Sequence, residues 1–94
     1  MFINVKDLKY VNKNYIIDIR NNNKYIDGHI DGSKNISYEN LLMYPYKYLK
    51  KDCKYYIYCQ KGIKSKQLCQ ILRNTGYDVL SVVGGYEEWL LNNN

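Results

Sequence analysis

Cys59 is the residue best placed to do chemistry in this chain of 94 residues. It ends a strand-forming run, Tyr55-Tyr56-Ile57-Tyr58, and opens the loop Cys59-Gln60-Lys61-Gly62-Ile63-Lys64, after which a helical pattern starts at Ser65. A thiol at a strand end, followed by a short glycine-containing turn into a helix, meets unpaired backbone N–H groups and the positive end of the helix dipole. Lys61 and Lys64 add positive charge to the same loop. This setting favours the thiolate and therefore a nucleophile near neutral pH. Gln60, Lys61, Gly62, Ile63 and Lys64 offer loop N–H groups, and Gly62 suits an unusual backbone angle or a close approach. Ser65 can cap the helix and also hydrogen-bond the sulfur. The competing reading is a buried structural cysteine, which the loop context disfavours.

The elements that must position this loop are legible as short strands alternating with helical segments. Phe2-Ile3-Asn4-Val5 reads as a first strand, Tyr15 to Arg20 as a buried strand ending in charge, Asn35-Ile36-Ser37 as a brief strand and Val79 to Val83 as the last. Asp7 can cap a turn that holds Leu8 and Val11, and Lys24 to Asp27 can form one helical turn. Ser37 is an N-cap candidate for Tyr38 to Met43, which Pro45 ends, and Tyr46 to Lys51 can add another turn of helix. From Ser65 to Thr75, Leu68, Ile71, Leu72 and Thr75 recur at helical spacing and should bury one face, with Gly76 at the C-cap. Gly84-Gly85 turns the chain into a final helix, Tyr86 to Leu91, and Asn92-Asn93-Asn94 should fray. The alternation predicts an α/β fold with a mostly parallel sheet and helices on both faces. Such folds bind ligands outside the carboxyl ends of their strands. Arg20 and Cys59 both fall at such ends.

Composition narrows the classes. Residues 1–94 fit one small domain, and at 46% hydrophobic they can build a core. No apolar run is long enough to cross a membrane, and the start lacks the pattern of a secretory signal, so a cytoplasmic location is expected. Three cysteines, Cys53, Cys59 and Cys69, are an odd and unevenly spaced set, which argues against a disulfide framework. No metal site is expected, because the single histidine, His29, lies far from the cysteines and no Cys-x-x-Cys pair exists. The net charge of +5 is spread over lysines. It reads as a solvated surface or as attraction for anionic substrates or RNA. Tyr44 to Lys51 interleaves aromatic and basic residues as RNA-binding surfaces do. A surface helix with half-buried tyrosines looks the same and is the favoured reading, so a nucleic-acid partner is disfavoured.

Four segments in order then point to a family: Asp18-Ile19-Arg20, the stretch Tyr25 to Ile36 containing Gly28-His29-Ile30-Asp31-Gly32-Ser33-Lys34-Asn35-Ile36, the Cys59 to Ser65 loop, and Gly76-Tyr77 with Val83-Gly84-Gly85-Tyr86-Glu87-Glu88-Trp89. Together they resemble the rhodanese-like sulfurtransferases. The resemblance implies a three-layer α/β/α fold around a mostly parallel sheet. It also implies that Cys59 accepts a sulfane sulfur as a persulfide and passes it to a thiophilic acceptor. The donor would be a small molecule such as thiosulfate or a persulfide, the acceptor a thiol or a protein, and no cofactor is needed.

The loop from Cys59 to Lys64 has the length typical of sulfurtransferases. The related dual-specificity phosphatases carry one residue more before an arginine. Here a lysine replaces that planar fork, so phosphatase or arsenate reductase activity is disfavoured. A persulfide carrier fed by a partner protein is the main alternative. In the family Asp18 and Arg20 lie beside the site, as an ion pair, a loop anchor or an anion contact. His29 supports the turn there and does not act as a base. Cys69 is expected on the buried side of its helix, and either it or Cys53 can act as a resolving thiol, although nothing in the spacing demands it.

Overall fold

Lys54–Tyr58 is a strand because its tyrosines and isoleucine suit a pleated surface covered on both faces. It is the central strand of the computed structural model, which describes residues 1–92. Of the tail expected to fray, Asn93 and Asn94 lie outside the described residues, and Asn92 closes the last helix. The strands are β1 (Phe2–Ile3), β2 (Ile16–Asp18), β3 (Lys34–Asn35), β4 (Lys54–Tyr58) and β5 (Asp78–Val82). They form one sheet in the order β1-β5-β4-β2-β3, and every pairing is parallel. The helices are α1 (Asn22–Asp27), α2 (Tyr38–Met43), α3 (Pro45–Tyr48), α4 (Ile63–Asn74) and α5 (Gly85–Asn92), and 3₁₀ turns cover Val5–Tyr10 and Lys13–Tyr15.

The period-two alternation of the strands divides the core into two layers. Ile17, Tyr55, Ile57 and Val79 face α2 and α4, where they meet Leu41, Leu68, Cys69 and Leu72. Ile16, Tyr58 and Val82 face the other way, onto Val5 and Leu8 of the first 3₁₀ turn, with Tyr86 and Trp89 of α5 packed alongside. Helices therefore cover both faces, as the alternation predicts.

Several boundaries differ from expectation for local reasons. The second strand stops at Asp18 because the Asp18 carboxylate accepts the Arg20 N–H at 2.8 Å and turns the chain. Asn21, outside the expected turn, caps α1 by accepting the Lys24 N–H at 3.0 Å. Ser37 does cap α2, accepting the Asn40 N–H at 3.2 Å, and Pro45 opens α3 at its first position, where its missing N–H costs nothing. At the end of α4, Gly76 N–H donates to Arg73 and Tyr77 N–H to Leu72, the paired bonds of a Schellman turn. Ile71 is 43% exposed and Thr75 is exposed too, both contrary to expectation, whereas Cys69 is buried as expected and completes the stripe with Ser65.

Truncation should report this division. Leu68→Ala removes a side chain with no exposure and should cost about 2–5 kcal/mol, whereas Ile71→Ala should stay within about 1 kcal/mol. Urea unfolding of both variants measures the contrast.

Candidate functional site

The helix after Cys59 begins at Ile63, two residues earlier than its sequence pattern predicts. Gly62 occupies the N-cap position with φ +94°, a left-handed conformation suited to glycine, and has no side chain to cap the helix. The Cys59 sulfur fills that role. Ser65 N–H, the third of α4, donates to Cys59 Sγ at 3.3 Å, and Gly62 N–H donates to it at 3.1 Å. Ser65 Oγ lies 3.4 Å from the same sulfur. Sγ thus sits at the positive end of a 12-residue helix with two backbone donors aimed at it, an environment that stabilises negative charge on sulfur. Ser65 Oγ also lies 2.8 Å from Ser81 Oγ of β5, and both serines are buried. Ser81 was not singled out from the sequence, since an isolated serine in a strand gives no local signal.

The loop backbone is held from the other side by α5. Tyr86 N–H donates to the Cys59 carbonyl at 2.9 Å and Glu87 N–H to the Gln60 carbonyl at 3.1 Å. Gly85 makes this approach possible: a Cβ there would lie 2.3 Å from the Cys59 carbonyl oxygen. The sequence marks Gly84-Gly85 as a turn. That the second glycine lets a helix end dock on the Cys59 loop is visible only in three dimensions.

Arg20 fixes the third side. Its Nε and Nη2 bind Asp18, with Nη2 at 2.8 Å from Oδ2 in a pair that is almost wholly buried. Nη2 also donates to the Gly28 carbonyl at 2.6 Å, and Nη1 donates to Gln60 Oε1 at 3.1 Å. Its guanidinium lies 4.2 Å from the Tyr86 ring centre, so it touches α5 as well. Burial alone would lower the Arg20 pKa, but the hydrogen bond and charge of Asp18 outweigh it and hold the pKa above its ordinary value. The ion-pair and loop-anchor readings of Asp18 and Arg20 thus describe one arrangement. The Asp18 carboxylate holds Arg20, and Arg20 in turn holds Gln60 of the loop.

His29 Nδ1 lies 2.7 Å from the Tyr25 carbonyl, and its ring stacks on Tyr25 at 3.8 Å. Among the described residues it lines neither hollow at Cys59. Those hollows adjoin the sulfur. One, of about 410 Å³, runs past Ile19, Arg20, Lys24, Tyr38 and Lys64; the other, of about 370 Å³, is walled by Lys24, Lys61, Ile63 and Lys64. Lys24 of α1, which the sequence reading did not single out, faces both.

Cys69 is buried with its thiol pushed up to about 12, chiefly by desolvation. That setting opposes a resolving role. Cys53 is half-buried, with its Sγ 3.7 Å from Asp52 Oδ1.

Two measurements follow from this geometry. Arg20→Ala leaves the fully buried Asp18 carboxylate without its cation and should cost about 3–5 kcal/mol in urea unfolding. Cys59 is itself only 6% exposed but opens onto both hollows, so iodoacetamide at pH 8 should modify it and Cys53 ahead of the 2%-exposed Cys69, as read by peptide mass mapping.

Comparison with known proteins agrees with the architecture. A family model for the rhodanese-like domain matches residues 4–92. Thiosulfate sulfurtransferase GlpE of Shewanella oneidensis is 37% identical over 75 residues, which cover 79% of this chain and 73% of that protein. A rhodanese-related protein from Thermoplasma volcanium superposes with a TM-score of 0.85 at 29% identity, over 98% of this chain and 92% of the other. The human single-domain sulfurtransferase TSTD1 shares the fold at a TM-score of 0.84 and 22% identity, over 99% and 97% of the two chains. The chain belongs to the rhodanese-like family, whose single-domain members include sulfurtransferases.

Proposed function

We infer that this protein is a sulfurtransferase in which Cys59 carries a sulfane sulfur as a persulfide. The observation that supports this above all is the convergence of Gly62 N–H and Ser65 N–H on one sulfur at a strand end, with the Ser65 oxygen accepting from the same thiol. In this reading residues 1–94 act as a single rhodanese-like domain, and three free cysteines suit a reducing, cytoplasmic setting.

In the first half-reaction the Cys59 thiolate attacks the outer sulfur of thiosulfate. A new S–S bond forms, the old one breaks, and sulfite leaves with the bonding pair. Lys24 and Lys64 at the rim of the cleft draw in the anionic donor. Lys64 acts as a point charge without the bidentate geometry of an arginine. The loop N–H groups of Gln60, Lys61, Gly62, Ile63 and Lys64 cradle the terminal sulfur as a nest holds an anion. In the second half-reaction a thiolate or other nucleophile attacks that terminal sulfur. The S–S bond breaks, and its electron pair returns to Cys59, restoring the thiolate. Arg20, Asp18 and His29 position the loop and take no proton.

Thiocyanate formation from thiosulfate and cyanide tests the reading. Cys59→Ser should lower it by at least about a thousandfold. Intact mass spectrometry of the wild type after thiosulfate should show a gain of one sulfur, mapped to Cys59. Turnover that survives the substitution, or no sulfur gain with any sulfane donor, would sink the assignment.

A further inference from the structure

The surface around Cys59 extends well beyond what a small anion needs. Ile63 is 63% exposed at the start of α4, immediately beside the sulfur loop. It and Lys61 wall the 370 Å³ hollow at Cys59, and both also wall a larger hollow of about 640 Å³ that continues toward β1. The larger hollow adds the exposed apolar side chains of Phe2 and Val83, with Lys66 at its rim. No acidic residue lines either hollow among the described residues. Lys24, Lys61, Lys64 and Lys66 are all exposed, and among the described residues none of them forms an ion pair. The result is an apolar strip leading away from the Cys59 sulfur, edged by lysines that form no ion pair among the described residues, with Glu39 as the acidic residue of the adjoining 410 Å³ hollow.

We propose that this strip is the docking surface for an acidic, leucine-rich protein segment whose cysteine thiolate attacks the outer sulfur of the Cys59 persulfide. A new S–S bond forms on the partner, the Cys59 S–S bond breaks, and its electron pair returns to Cys59 as the thiolate while the partner leaves as a persulfide. The proposal rests on the persulfide reading and names the partner's chemistry. Complementary charge around the mouth would speed encounter and select the partner. An aliphatic side chain next to the partner's cysteine would fill the hollow behind Ile63. Among the described residues Phe2 is the one aromatic side chain in the linings of these two hollows, which gives bases little to stack on and disfavours single-stranded RNA.

Binding tests the surface without relying on the chemistry. The probes are a short fluorescein-labelled acidic peptide, with leucines flanking a central serine in place of cysteine, and its counterpart with lysines in place of the acids. Fluorescence anisotropy should show the acidic peptide binding at least about tenfold more tightly and weakening severalfold as salt rises to about 0.5 M. Lys66→Glu and Phe2→Ser should each weaken the acidic peptide severalfold while leaving turnover of thiosulfate with cyanide unchanged. Equal binding of the two peptides, indifference to Lys66→Glu, or tighter binding of a single-stranded RNA oligomer would overturn the proposal. Peptide binding as expected with no sulfur ever gained on Cys59 would support the surface and refute the persulfide reading, so the two ideas fail separately.

Discussion

The buried pair of Asp18 and Arg20 is the interaction on which the site depends. Asp18 has no exposure, and a carboxylate in that position is tolerable only with a cation and hydrogen bonds around it. Arg20 supplies both, and its remaining donors reach outward to the Gly28 turn and the Gln60 side chain, while its flat face lies over Tyr86. One guanidinium therefore ties together the end of β2, the turn after α1, the Cys59 loop and α5. The planar fork is what permits this, since an ammonium could not meet so many partners in fixed directions.

The second constraint is the reciprocal use of helix ends. The N-terminus of α4 directs its N–H groups at the Cys59 sulfur, and that of α5 directs its own at the Cys59 and Gln60 carbonyls. The Cys59 sulfur and the backbone that presents it are thus solvated by protein donors already fixed in the fold. Donors already in place need no reorganisation when charge develops on sulfur. The same arrangement explains why glycine stands at 62 and 85. At 62 the backbone takes a left-handed turn with Gly84 N only 2.9 Å from where a Cβ would sit, and at 85 any side chain would collide with the loop carbonyl.

Much of the fold was legible because strand and helix periodicities differ and the breaks are marked by capping residues. Ser37, Pro45 and Gly76 sit where their chemistry says they should. The start of α4 was misplaced because its cap is a sulfur distant by three residues and not an oxygen at the N-cap. Ile71 was misassigned because a four-residue repeat alone cannot tell which side of a stripe meets the sheet. Cys69, one turn after Ser65 on the same helix, is buried as expected.

The sequence by itself determined where the cysteine-bearing loop falls, between a strand and a helix, and the alternation that makes a parallel sheet, since these are consequences of local residue type and spacing. It also carried the ordered segments that mark the rhodanese-like family. Only the tertiary structure decided what surrounds the sulfur: Ser81 behind Ser65, the approach of α5 permitted by Gly85, the four-way grip of Arg20, and Lys24 across the cleft. Most of these juxtapose residues of different elements, fixed by how the strands order themselves in the sheet. No local pattern encodes that order.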